Sequence, residues 1–245
     1  MKRGRIALIG YDKRLSQVLQ GYMTRTIGLS EHCDRCLESR RWGGSVVLMV
    51  VDAAFTSIGL NYFTAVVPGV LRFETEFIAR GGIRTLHDLT TLEAHGARAI
   101  WKNGRSWQVV TEVATYLDKL AVSEGLADRD VLRSWAASSR LEGWRDDPIG
   151  RVKGVGITTF QYLRMMGGID TAMPDKIVRR VIGQIVDEAG AAMPVHGDME
   201  LVSTIQHMAG LSGYRPIEIC WMTWMVQSEG SMVRMEKYRD LLDRI

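Results

Sequence analysis

The chain of 245 residues is 46% hydrophobic, 24% charged and 8% aromatic, a globular composition that excludes a disordered tail. Lys and Arg number 31 against 28 Asp and Glu, a formal net charge of +3. So mild a basicity permits nucleic-acid binding but excludes a histone-like or tail-mediated binder. Three cysteines cannot build a disulfide framework, and the opening Met1-Lys2-Arg3-Gly4-Arg5 leads into no long apolar region with a cleavage site. A secreted protein is therefore not expected, and a cytoplasmic one is. The most apolar run, Val46–Val51, is extended only by Ala53, Ala54 and Phe55 beyond Asp52 and is too short to span a membrane.

Helical periodicity dominates, and a count of 5 prolines favours long helices over a turn-rich β fold. Arg5–Ile9 has the length of a short strand but reads better as the approach to a helix. A helix is predicted from Val46 to about Leu71, with Gly59 and Pro68 as bends or ends. Trp107, Val110, Val113, Ala114 and Leu117 mark a second helix face. Ile177, Val178, Val181, Ile182, Ile185 and Val186 mark a third, with Pro174 and Asp175 where a helix start belongs. A fourth runs from Pro216 through Trp224 and Met225. Breaks fall at Gly43-Gly44, Gly81-Gly82, Asp146-Asp147-Pro148, Gly167-Gly168 and Gly190–Gly197, none long enough for a flexible linker. No internal repeat is present.

The stretch from Ile149 to Val181 is the most informative. Gly154-Val155-Gly156 makes a tight turn before an apolar helix pattern through Phe160 and Leu163. Such a turn presents backbone N–H groups at a helix start, which suits a phosphate, and Arg151 and Lys153 add charge beside it. A plain interhelical turn is the alternative. Asp175, ahead of a helix bearing Arg179 and Arg180, is read either as an N-cap or as a carboxylate facing a pocket, acting on a positive centre or a water.

The order of these parts resembles the helix-hairpin-helix DNA glycosylase superfamily, which includes endonuclease III, adenine DNA glycosylase and alkyladenine glycosylases. Its signature is a Leu-Pro-Gly-Val-Gly hairpin, a catalytic Asp further on, and a following helix with an Arg-Val pair; Arg180-Val181 stands at the matching offset from Asp175. The resemblance covers most of Val46–Glu229, with Asn61 and Thr64 on the early core helix and Trp221–Gly230 as a closing helix. It implies an all-α, endonuclease III-like fold: a central bundle at residues 45–168 ending in the hairpin, and a second lobe at 1–44 plus 169–245. It also implies a base flipped into a pocket between the lobes and cleavage of its N-glycosidic bond, with Asp175 stabilising the sugar cation and activating water. Gly154, Val155 and Gly156 would grip a phosphate of double-stranded DNA, hairpin carbonyls could hold a monovalent cation, and Asn61 and Tyr62 would line the base pocket. The partner is duplex DNA, without a membrane, and the protein a monomer.

Several positions depart from the family. Lyases of the superfamily carry a Lys two residues after the last hairpin Gly; here Thr158 stands there, which points to a water-using glycosylase and adds Thr158 to the catalytic candidates. Val152-Lys153 replaces Leu-Pro, and Ala54 occupies the place of the wedge residue that fills the gap left by the flipped base. Cys220 alone cannot hold the iron–sulfur cluster of many relatives, so no cofactor is expected. His32-Cys33 and Cys36 resemble half a zinc site but lack a second pair, and read as reduced thiols in a polar connection. Of the tryptophans, 101, 107, 135, 144, 221 and 224 read as core, and Trp42, beside Arg40 and Arg41, as the surface exception. A non-catalytic helix-hairpin-helix nucleic-acid binder and a helical protein–protein adaptor are the alternatives.

Overall fold

The computed structural model describes residues 2–245, with the side chains of residues 12–93 and 96–245. The chain is predominantly helical. In order come α1 (Lys2–Met23), α2 (Leu29–Leu37), a 3-10 turn (Arg41–Gly44), α3 (Val46–Thr56), a π-turn (Tyr62–Val66), α4 (Val67–Phe73) and a second π-turn (Glu74–Ala79). Then follow α5 (Leu86–Thr90), α6 (Ala94–Ala97), α7 (Gly104–Glu124), α8 (Asp128–Ser138), α9 (Ile157–Met166), α10 (Lys176–Ala189), α11 (Asp198–Ser212) and α12 (Pro216–Met225). A small antiparallel pair, β1 (Ser228–Glu229) and β2 (Met232–Val233), pairs Ser228 with Val233 and Glu229 with Met232. Two short helices, α13 (Arg234–Lys237) and α14 (Arg239–Arg244), close the chain. Among the described residues no helix is long and apolar enough to cross a membrane.

The chain divides into two compact units, one of residues 1–34 and 170–243, the other of residues 35–169 and 244–245. In the second, α3 is the centre. Every residue from Val46 to Phe55 is buried, as expected of a helix apolar on all sides. It packs against α4, α7, α8 and α9. Ser45 caps it by accepting from the Leu48 N–H at 3.3 Å. Leu117, Val113, Val110, Trp107 and Val109 bury one face of α7, which continues to Gly125 in a left-handed C-cap (φ 67°). In the first unit, α10 and α11 pack on α1 and on α12. Val178, Val181, Ile182, Ile185 and Val186 form the buried face of α10.

Several expectations are corrected. The helix predicted from Val46 to about Leu71 is three pieces. Gly59 (φ 71°) breaks it, Asn61 restarts it by accepting from the Thr64 N–H at 3.1 Å, and Pro68 sits harmlessly in the first turn of α4 rather than at a bend. Arg5–Ile9 lies inside α1. The closing helix ends at Met225, not Gly230, and gives way to the β pair. Cys33 and Cys36 are buried on α2, not in a polar connection. Trp42 is buried, not a surface residue.

Candidate functional site

The hairpin candidates occupy one continuous stretch of the second unit. Residues between Ser138 and Ile157 form consecutive turns, not the helix that a helix-hairpin-helix motif places before its hairpin. The sequence explains the difference. Pro148 lacks the N–H that a helix would use. Asp147 competes for the backbone instead: its carboxylate accepts from the Ile149 N–H at 2.8 Å and from the Trp135 indole at 3.2 Å. Gly150 passes so close to the Trp144 carbonyl that a Cβ would lie 1.6 Å from the oxygen. The turn run is thus specified, and its closing turn is the hairpin, where the Val155 N–H donates to the Val152 carbonyl at 2.9 Å.

Gly154 has φ 110°, a conformation that favours glycine, and a Cβ there would lie 3.0 Å from Arg105 Cγ and Val109 Cγ2. Val152 and Val155 are buried and anchor the turn, whereas Arg151, Lys153 and Gly156 are exposed. The N–H groups of Gly154 and Gly156 have no acceptor among the described residues. They stand beside the start of α9, where the helix dipole adds partial positive charge. Arg151 pairs loosely with Asp146 at 3.6 Å. Arg105, on α7, lays its stem against Gly154 and is itself exposed; the sequence distance between the two concealed this third cation. Thr158 lies half-buried in the first turn of α9.

Asp175 belongs to the other unit. Its Oδ1 caps α10, accepting from the N–H of Ile177 at 2.6 Å and of Val178 at 2.9 Å. Its Oδ2 accepts from the Trp224 indole at 2.9 Å. Burial pushes the carboxyl above the ordinary aspartate range, against the pull of these three donors. Sequence reading anticipates the cap but not Trp224, which comes from α12. Arg179 turns away to the carbonyls of Val195 and His196 and to Asp198 at 2.6 Å, and Arg180 to Gln227.

The two base-pocket candidates separate. Asn61 is exposed and serves as the cap of the π-turn. Tyr62 is 3% exposed and its hydroxyl lies in a buried polar network. At the centre of that network is Asp52, on α3. Its Oδ2 accepts from the Trp42 indole at 2.8 Å, from the Tyr162 hydroxyl at 2.7 Å and from the Tyr62 hydroxyl at 3.1 Å, with Arg41 Nη2 at 3.5 Å. Arg41 also donates to the Tyr62 hydroxyl at 2.5 Å. Arg41 and Asp52 are fully buried. Burial pushes the Asp52 carboxyl up, opposed by Arg41 and Trp42, and burial likewise works against the Arg41 charge, which its surroundings, Asp52 among them, nonetheless favour. Tyr162 is on α9, so the network ties the helix that starts at the hairpin to the core helix α3. Trp42 adopts φ 54° to reach Asp52, an unusual conformation for a residue with a side chain.

Of the tryptophans, 107, 135 and 221 are fully buried, Trp101 stacks on Phe55 at 4.1 Å between ring centroids, and Trp144 and Trp224 are half-buried. Among the described residues, no three His, Cys, Asp or Glu side chains gather where they could hold a metal ion. Comparison with known protein families, with curated proteins and with solved structures found no match for this chain.

Proposed function

We propose that this chain is a DNA glycosylase-like, base-excision protein that binds duplex DNA through the Gly154–Gly156 hairpin as a monomer and hydrolyses the N-glycosidic bond of a flipped base. The observation that carries the reading is Asp175: a half-buried carboxylate of fixed orientation and raised proton affinity, following a glycine hairpin with unpartnered amides. Three donors leave its oxygens room for one more, a water. As the bond from sugar to base breaks, the electron pair leaves with the base and positive charge grows on the sugar. A carboxylate beside it stabilises that charge. The same carboxylate takes a proton from the water whose oxygen bonds to the sugar carbon. Thr158, at the position of the lyase amine, has no amine to form a Schiff base, so the strand stays intact.

Asp175→Asn is expected to abolish base release from oligonucleotides bearing a panel of damaged or mismatched bases, with duplex binding retained. Full activity in that variant would sink the proposal. The second reading is a non-catalytic nucleic-acid binder. It is favoured by the same three hydrogen bonds, which are those of a structural cap and its indole partner. Wild-type protein that binds duplex yet releases no base across the panel decides for it.

A further inference from the structure

A second cationic feature is built by α8 and the turn that follows α2, from residues other than those of the hairpin. Arg129 and Arg133 stand four residues apart on one face of α8 and are joined by Arg40 from the turn that follows α2. With Leu37 and Glu38 they wall an open cavity of about 430 Å³, within the range of small-ligand pockets. The floor is firmly built. Arg133 Nη1 donates to the Leu37 carbonyl at 3.1 Å and to the Ser39 hydroxyl at 3.2 Å, and Arg129 donates to the Glu38 carbonyl. The turn beneath is closed by Ser39 N–H to the Cys36 carbonyl at 2.9 Å and Arg40 N–H to the Arg35 carbonyl at 2.7 Å. Gly168 leaves room for it: a Cβ there would lie 2.9 Å from the Leu37 oxygen.

The anchoring bonds use one nitrogen each of Arg129 and Arg133, out of the five N–H donors a guanidinium carries. Among the described residues the Arg40 side chain is held by the Glu38 carboxylate alone, in a pair whose side chains are 57% and 51% exposed. Three guanidinium groups therefore face one cavity with a single carboxylate among its walls. Planar forks with spare donors, fixed at one edge, match a tetrahedral oxyanion.

We propose that this cavity is a phosphate-group site, in which the oxyanion displaces the Glu38 carboxylate from Arg40 and is held by Arg40, Arg129 and Arg133. The assignment stands on the cavity alone and not on the glycosylase reading. The phosphate can belong to a nucleic-acid backbone or to a free phosphorylated molecule, and the test separates the two.

Binding of inorganic phosphate, by calorimetry, and of an undamaged labelled duplex, by fluorescence anisotropy, is compared in wild type, Arg40→Ala and Glu38→Gln. Among the described residues the Arg40 side chain donates to no backbone group, and its main-chain bond to the Arg35 carbonyl survives truncation, so Arg40→Ala leaves the floor intact. Arg40→Ala is expected to weaken phosphate binding about fivefold or more, and Glu38→Gln to strengthen it by a similar factor, as one charge within a few ångströms requires near a protein surface. Arg133→Lys, which keeps the charge and loses the fork, also weakens it. Gly154→Ala, at the hairpin, leaves the effect of Arg40→Ala on phosphate unchanged. If duplex affinity shifts in the same directions, the phosphate is a backbone one; if only inorganic phosphate responds, it is that of a free molecule. Unchanged binding of both probes in Arg40→Ala overturns the site, as does weaker binding in Glu38→Gln.

Discussion

At the scale of single residues, two aspartates that look alike in sequence hold opposite positions. Asp175 stands at a helix start and is legible there, because a short acidic side chain before an apolar periodic run caps the helix. Asp52 interrupts an apolar run, and that interruption is the signal of the buried network: a carboxylate inside a core helix must find donors. Its partners are spread over Arg41, Trp42, Tyr62 and Tyr162, and no local pattern announces them. Removing one side of the Arg41–Asp52 pair leaves the other buried and uncompensated. Arg41→Met is therefore expected to destabilise by about 3–5 kcal/mol in urea unfolding, and Arg41→Met with Asp52→Leu to recover most of that loss. Additive losses in the double variant would mean that the two charges do not depend on each other. For Asp175 the sign runs through ionisation. Burial raises its proton affinity, so protonation sets in above the usual aspartate value of about 3.9. If the ionised form is needed, base release falls as pH drops through that raised value. A pH–rate profile flat down to the ordinary aspartate range removes Asp175 from the base role.

At the scale of elements, periodicity recovers α7 and α10, because each buries one face and leaves the other polar, while α12 is legible as an apolar run that is buried almost all round. Periodicity does not mark α11, where the polar Thr204 interrupts the buried face of Leu201, Val202, Ile205, Met208 and Ala209 and satisfies its hydroxyl on the Pro194 carbonyl at 2.7 Å. The π-turns at Tyr62–Val66 and Glu74–Ala79 arise from a register shift that composition does not encode. The turn run before the hairpin is the clearest divergence between pattern and structure. Gly154-Val155-Gly156 is where the family resemblance expects it, yet no helix runs directly into it, since α8 ends at Ser138. The reason lies in Asp147, Pro148 and Gly150. Gly150→Ala drives a Cβ into the Trp144 carbonyl, 1.6 Å away, so the backbone must move. The expected outcome is a loss of about 2 kcal/mol or more in thermal unfolding and weakened duplex binding. Gly143→Ala, where nothing lies within 4 Å, serves as the control and leaves binding unchanged. Equal behaviour of the two variants would separate the hairpin from the turn run that carries it.

At the scale of the whole molecule, 31 basic against 28 acidic residues leave no excess from which to build a broad cationic face. Many of the arginines are also committed internally. Arg41 is paired with Asp52, Arg179 with Asp198, Arg215 with Asp34 and Glu218, and Arg234 with Glu229. On the proposed reading, duplex DNA is held at the hairpin by a few local charges and by neutral amides: Lys153, Arg151 and Arg105, with the N–H groups of Gly154 and Gly156. Neutral amides contribute directional bonds without the full counterion release of a cation at a phosphate. The dependence of duplex affinity on salt should therefore be shallow. With about three phosphates neutralised, the logarithm of the binding constant should fall against the logarithm of salt concentration with a slope of roughly −3. Lys153→Ala should reduce that slope by about one and weaken binding evenly across sequences, because a backbone contact carries no base information. A slope of about −8 or steeper would require a wide basic surface, and a slope unaffected by Lys153→Ala would place the duplex away from the hairpin.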